Sequence, residues 1–196
     1  MTNDTAEITP EPFADPVQPM FSTGSILSAD QSLAEGMLVI GHDDAPLAMD
    51  VYLHPLSPYA RDFQRSRVPT LIQRYVEHGT IAVRFITLPI VKYGGADDVV
   101  RATVCGGQQD KGYAVHEYLY GKGVATIDAD AAQTIGLDAA AFADCVATMT
   151  GDILSATRDH ATRDAVTLVP TYVIRGKKHV GLPTEADLLG AIEAAL

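Results

Sequence analysis

In this 196-residue chain few side chains could do nucleophilic or metal chemistry: two cysteines, six histidines and the serine of a Ser57-Pro58-Tyr59-Ala60 segment. Cys105 and Cys145 lie forty residues apart. Two cysteines support neither a disulfide framework nor a four-ligand zinc site, although one pair is possible. Their simplest reading is two small buried side chains. His42, His54, His78, His116, His160 and His179 lack the close pairing that metal ligation needs, so no metal is expected. Ser57 differs because proline follows it. A hydroxyl residue before proline marks a helix start: the side chain caps a backbone N–H, and proline fits the first helical position. A cap needs no further function. His54, three residues earlier, reads as a strand-end side chain in a solvated pocket. Arg61, Arg65, Arg67 and Arg74 read as the wet face of the helix that Ser57 begins.

The elements that must position these residues are legible. Leu47 to His54 is a short, mostly apolar strand, and Val68, Leu71, Ile72, Tyr75 and Val76 then recur at helical spacing until Gly79. Pro69 lies inside that helix and is expected to kink it. Ile81 to Leu88 is a β-branched strand closed by Pro89. Strand, helix, strand favours a parallel pair with a right-handed crossover. Residues 95–165 are Ala-rich, free of proline and punctuated by glycines, which predicts about four short helices. Thr171 to Arg175 returns to strand, and Gly176-Lys177 turns into His179-Val180. Thr184-Glu-Ala-Asp187 is a capping box opening a last helix that should bury Leu188, Leu189, Ile192 and Leu196.

The N-terminal region is unlike the rest. The first sixty residues hold nine acids and no Lys or Arg, and they account for most of the net charge of −11. Such a charge argues against nucleic acid and against anionic membrane surfaces. No apolar run approaches a membrane span. Residues 1–24 contain four of the eleven prolines and few core-forming residues, so they predict an extended or disordered leader before a domain at 25–196. Within that domain, residues 28–36 predict a short helix from Ser28 to Gly36. The N-terminus shows neither the basic nor the apolar region of a secretory signal. That leaves a cytoplasmic chain, or a periplasmic one whose export segment is not part of this sequence.

The order β-α-β, helical insertion, β-β-α is that of a thioredoxin-like α/β fold with an inserted helical subdomain at 95–165. From about residue 38 onward the sequence resembles the DsbA-like thiol–disulfide oxidoreductases. Gly41-His-Asp-Asp-Ala-Pro46 looks like that family's approach to its first central strand. Ser57-Pro-Tyr-Ala60 falls where the family has Cys-Pro-x-Cys, and Val68-Pro69 falls at its helix kink. Val169-Pro170-Thr171 matches its cis-proline loop, and Gly176 with Val180-Gly181 its terminal hairpin. The resemblance implies a cis bond at Val169–Pro170 facing Ser57 across a groove. It also makes a structural Cys105–Cys145 disulfide between insertion helices an alternative to two buried thiols.

The chemistry does not follow the resemblance. Disulfide exchange needs a thiolate at the helix N-terminus and a second thiol three residues on to resolve the mixed disulfide. Ser57 and Ala60 supply neither. The preceding Leu53-His-Pro-Leu56 also departs from the family's Ser-Asp-Phe approach, which favours natural divergence over engineered replacement of the two cysteines. The leading expectation is a redox-inactive module, without cofactor, that holds an extended peptide or protein partner by strand addition. Its groove would be formed by His54, Ser57, Pro58, Tyr59, Ala60, Val169 and Pro170. The enzymatic alternative resembles kappa-type glutathione transferases and isomerases, in which a serine in this setting holds the glutathione sulfur. Residues 181–187 (GLPTEAD) lack the Trp-Gly-Gln-Asp-Arg-like stretch of that class. A third class, a structural protein working through the acidic N-terminal sixty residues, explains the charge asymmetry but not the groove.

Overall fold

The computed structural model describes residues 31–149 and 152–196, with side chains from 155 in the latter segment. The leader at 1–24 lies outside the described residues. Six strands form one sheet in the order β1-β2-β4-β3-β5-β6: β1 Gln31–Ala34, β2 Met37–Ile40, β3 Leu47–Leu53, β4 Ile81–Thr87, β5 Thr171–Ile174 and β6 Lys177–Val180. β3 and β4 pair in parallel, as the strand-helix-strand order predicts, and β5 joins β3 antiparallel.

The helix expected at 28–36 is corrected. Over its described part the chain forms the β1–β2 hairpin, turning at Glu35 and Gly36, both with positive φ (50° and 79°). That pair of left-handed residues is the signature of a tight hairpin turn. β2 is buried throughout, and its Leu38, Val39 and Ile40 pair with β4, a partner more than forty residues away that local spacing could not reveal.

Alternation along the strands divides the core. Met49, Val51 and Leu53 of β3, with Val83 and Phe85 of β4, face the main cluster. There they meet Phe63 of α1 (Pro58–Ser66), Leu119 of α4 (Gly112–Lys122) and Leu188 of α8 (Glu185–Glu193). The opposite face carries Tyr52, Ile86 and Val173, covered by Ala161 of α7 (Asp152–Arg163) and by Val166. α8 buries Leu188 and Ile192 behind its Thr184 cap, but Leu196 lies beyond the helix end and is exposed, contrary to expectation.

Pro69 interrupts its helix. α1 stops at Ser66, α2 spans Val68–Leu71, and a π turn covers Ile72–Val76. Proline has no N–H to continue the ladder. Among the described residues the insertion has five helices rather than four: α3 (Ala96–Gly107), α4, α5 (Ala129–Ile135), α6 (Ala139–Thr148) and α7. Gly136 in the left-handed region and the Asp138 cap split α5 from α6. A Cys105–Cys145 disulfide ties α3 to α6, with Cα atoms 5.9 Å apart. The reading as two separate buried thiols is therefore set aside.

Candidate functional site

Sheet register brings the site together. Tyr52 on β3 lies opposite Thr171 on β5, and Leu53 lies opposite Thr87 on β4. The segments that follow β3 and β4, and the one that precedes β5, therefore meet at one end of the sheet. From β3 the chain turns through His54, the Ser57 N–H donating to its carbonyl at 2.9 Å. α1 then begins, with Pro58 at its first position and the Ala60 N–H directed at Ser57 Oγ over a long 3.4 Å. Across from it the Val169–Pro170 bond is cis, and Thr171 Oγ1 donates to the Leu168 carbonyl at 2.7 Å. Gly181 N–H donates to the Pro170 carbonyl at 2.8 Å, which carries Leu182 to the same end.

Burial divides these residues into a floor and a rim. Ser57 is 1% exposed, and Ala60 and Pro170 are buried. Tyr59 is 64% exposed, Leu168 60% and Leu182 38%. Sequence reasoning named Tyr59 and missed both leucines, whose only signal is their place beside Val169 and after the terminal hairpin. Among the described residues nothing donates to the Val169 carbonyl or accepts from its N–H.

His54 is not in a solvated pocket. It is fully buried, with Tyr93 beside it at 5.3 Å between ring centroids. That neighbour comes from the loop after β4, thirty-nine residues away, so the strand pattern could not show it. Its Nδ1 accepts the Leu56 N–H at 3.2 Å, and Nε2 finds no hydrogen-bond partner among the described residues. Burial pushes the imidazole below its ordinary pKa, with the Gly94 backbone opposing, so the ring is neutral at pH 7. Its role is to set the β3–α1 turn.

The arginines of the helix also depart from a simple wet face. Arg65 and Arg74 are exposed, whereas Arg67 Nε donates to the Pro183 carbonyl at 2.9 Å. Arg61 is half-buried and lies against Gly123, with its Nε sealed and unpartnered. Cys105 and Cys145 belong to the insertion and not to this end of the sheet.

The loop leading into Val169 is held from beneath. Tyr52 on β3 donates its hydroxyl to Asp164 at 2.6 Å, and the same oxygen lies 3.2 Å from the His160 carbonyl. Asp164 also accepts from Arg163, and His160 meets Glu35 of the β1–β2 turn at 2.8 Å. Burial and Asp164 push the Tyr52 phenol above its ordinary range, so it stays a donor. Nearby, a cleft of about 420 Å³ is lined by Pro89, Ile90, Val91, Gly94, Gly95 and Arg158 among others, and neither Ser57 nor Pro170 lines it. Among the described residues no cluster of three His, Cys, Asp or Glu could hold a metal, and no helix is long and apolar enough to cross a membrane.

A family profile described as Thioredoxin matches residues 33–194. No curated protein matches the chain. Among solved structures, oxidised BdbD from Bacillus subtilis superposes with a TM-score of 0.70 at 16% identity, covering 85% of this chain and 96% of its own. A thioredoxin-like oxidoreductase from Silicibacter pomeroyi gives 0.67 at 20% identity, with 82% and 92% covered. DsbA from Chlamydia trachomatis gives 0.63 at 14%, with 80% and 89% covered. Identities this low speak to the fold, which is the thioredoxin-like fold of DsbA-like structures. With the profile spanning nearly every described element, the chain belongs to the thioredoxin family.

Proposed function

We propose that this chain is a redox-inactive member of its family that binds an extended peptide or protein segment in the groove between Ser57-Pro58-Tyr59-Ala60 and Val169-Pro170. The observation that carries this reading is a backbone step at Val169 that pairs with nothing among the described residues, at the same end of the sheet as a helix start without sulfur. A serine hydroxyl is a poor nucleophile without a base, and alanine can resolve nothing. Both cysteines are already bonded to each other on α3 and α6. An extended segment running beside Val169 would satisfy its N–H and carbonyl and cover Tyr59, Leu168 and Leu182. Backbone pairing would supply affinity, and the apolar rim would select apolar side chains.

The test is titration of a fluorescent, extended apolar peptide into wild type and Val169→Asp. Binding to wild type should weaken about tenfold or more in the variant, since an unpaired charge would be buried at the pairing edge. Equal affinity for both chains would sink the reading.

Glutathione at Ser57 is the second reading. The hydroxyl stands at a helix N-terminus, which favours a bound thiolate, and its cap bond is long. The burial of Ser57 weighs against it. Glutathione at a hundredfold excess over Kd would stabilise a binding protein by about 2.7 kcal/mol. A thermal shift that vanishes in Ser57→Ala would replace the peptide reading with this one.

A further inference from the structure

We propose that Tyr52 is a positioning residue for the groove: it closes the loop from Asp164 to Thr171 at both ends and so sets where Val169 presents its backbone. The inference rests on the reading of the groove as a peptide site and names the side chain that tunes it. A phenol at this place needs a reason. Tyr52 is fully buried in the second core cluster, with Ile86, Leu88, Val166 and Val173, where phenylalanine would fill nearly the same space with no polar atom to satisfy. Its hydroxyl is satisfied at the end of α7, donating to Asp164 at 2.6 Å and lying 3.2 Å from the His160 carbonyl. The backbone of the same residue pairs with Thr171 on β5. Tyr52 therefore holds the chain on both sides of Val169, five residues before it through the side chain and two residues after it through the backbone.

Between these two holds the chain makes a sharp exit from α7. Ala165 has φ 49°, in the left-handed region where glycine is usual and an L side chain is strained. The Val166 N–H returns to the Ala161 carbonyl at 2.8 Å, and the Ala165 carbonyl accepts from Lys178 of β6 at 2.6 Å. A strained turn of this kind persists where its surroundings over-determine it. Burial acts to raise the Asp164 carboxyl, but the bonds from Arg163 and Tyr52 outweigh it and hold the group below its ordinary range. The phenol therefore has an ionised acceptor, which strengthens the contact. Val166 is buried in the same cluster as Tyr52, and only Thr167 and Leu168, both exposed, separate it from Val169. So short a connection has little slack, and a shift at Asp164 passes on to the strand-pairing step.

The test compares Tyr52→Phe, Asp164→Ala and Asp164→Asn with wild type in two readouts: backbone amide spectra of the free protein, and titration with the fluorescent apolar peptide. In Tyr52→Phe and in Asp164→Ala the Leu168 and Val169 amide signals should shift while those of α5 stay in place. Peptide affinity should fall about fivefold or more in both, since a hydrogen bond to a charged group is lost. Asp164→Asn keeps an oxygen that accepts from the phenol, and should bring affinity back to within about twofold of wild type. Tyr52→Phe combined with Asp164→Ala should cost little more than either alone, because both remove one shared contact. A tyrosine that only fills space would give additive losses, no rescue by asparagine and unmoved Val169 signals.

Unmoved Val169 signals in Tyr52→Phe would overturn the proposal, and so would equal affinity of Tyr52→Phe and wild type for the peptide. Wild type that binds no peptide, while the Val169 signals still move in Tyr52→Phe, would overturn the groove reading and uphold the hold of Tyr52 on the loop.

Discussion

Two regions of this molecule are suited to sulfur, and only one contains it. The start of α1 is a helix N-terminus, the setting that activates a thiol, yet it holds Ser57, whose hydroxyl caps the Ala60 N–H over a long contact, and Ala60 itself. The α3–α6 contact holds Cys105 in the last turn of one helix and Cys145 in the second half of another. Helix C-terminal halves disfavour a thiolate, and Cys105 is buried. The bridge therefore lies where it fastens α3 to α6. The two regions remain mechanically joined: Gln64 on α1 meets His116 on α4 at 2.9 Å, and α4 packs on α3.

The largest effect should come from opening the bridge. Cys105→Ala with Cys145→Ala frees a loop of forty residues, which by chain entropy costs about 4 kcal/mol in denaturant unfolding. A loss below about 1 kcal/mol would show that the insertion holds itself together by packing alone.

At mildly acidic pH a smaller effect should appear at the joint. Burial pushes the His116 imidazole down to about 3, whereas a histidine in the unfolded chain titrates near 6.5. Between those values the unfolded chain binds a proton that the folded chain refuses. Stability is complete above about pH 6.5 and falls by about 1.4 kcal/mol per unit as pH drops toward 3. His54 and His179 are lowered by burial as well and act in the same direction. The contribution of His116 is the part of the slope that disappears in His116→Gln, and an unchanged slope would remove it from the account.

The smallest effect belongs to the cap. Ser57→Ala should cost under about 1 kcal/mol, since the 3.4 Å contact to the Ala60 N–H is weak. A much larger loss would mean that Ser57 does more than begin a helix.

What could be read in advance follows from how local each interaction is. Ser57-Pro58, the β3–β4 pair and the Thr184 cap carry their signals within a few residues, and each stands where that signal put it. The β1–β2 hairpin was hidden because β2 is a strand by virtue of pairing with β4, while its neighbours can equally be read as a helix turn. His54 departs from its strand-end reading because Tyr93 packs on it from another loop. The Tyr52–Asp164 contact joins residues 112 apart, and no periodicity marks a phenol for a carboxylate at that distance along the chain.

The most direct test of the central claim is insulin reduction by dithiothreitol, measured for wild type and for Ser57→Cys with Ala60→Cys. If helix start and loop are placed as a Cys-Pro-x-Cys site needs, the restored pair should catalyse the reaction, and wild type should not exceed the uncatalysed rate. Turnover by wild type that persists in Cys105→Ala with Cys145→Ala, or a folded double-cysteine variant without activity, would contradict the account.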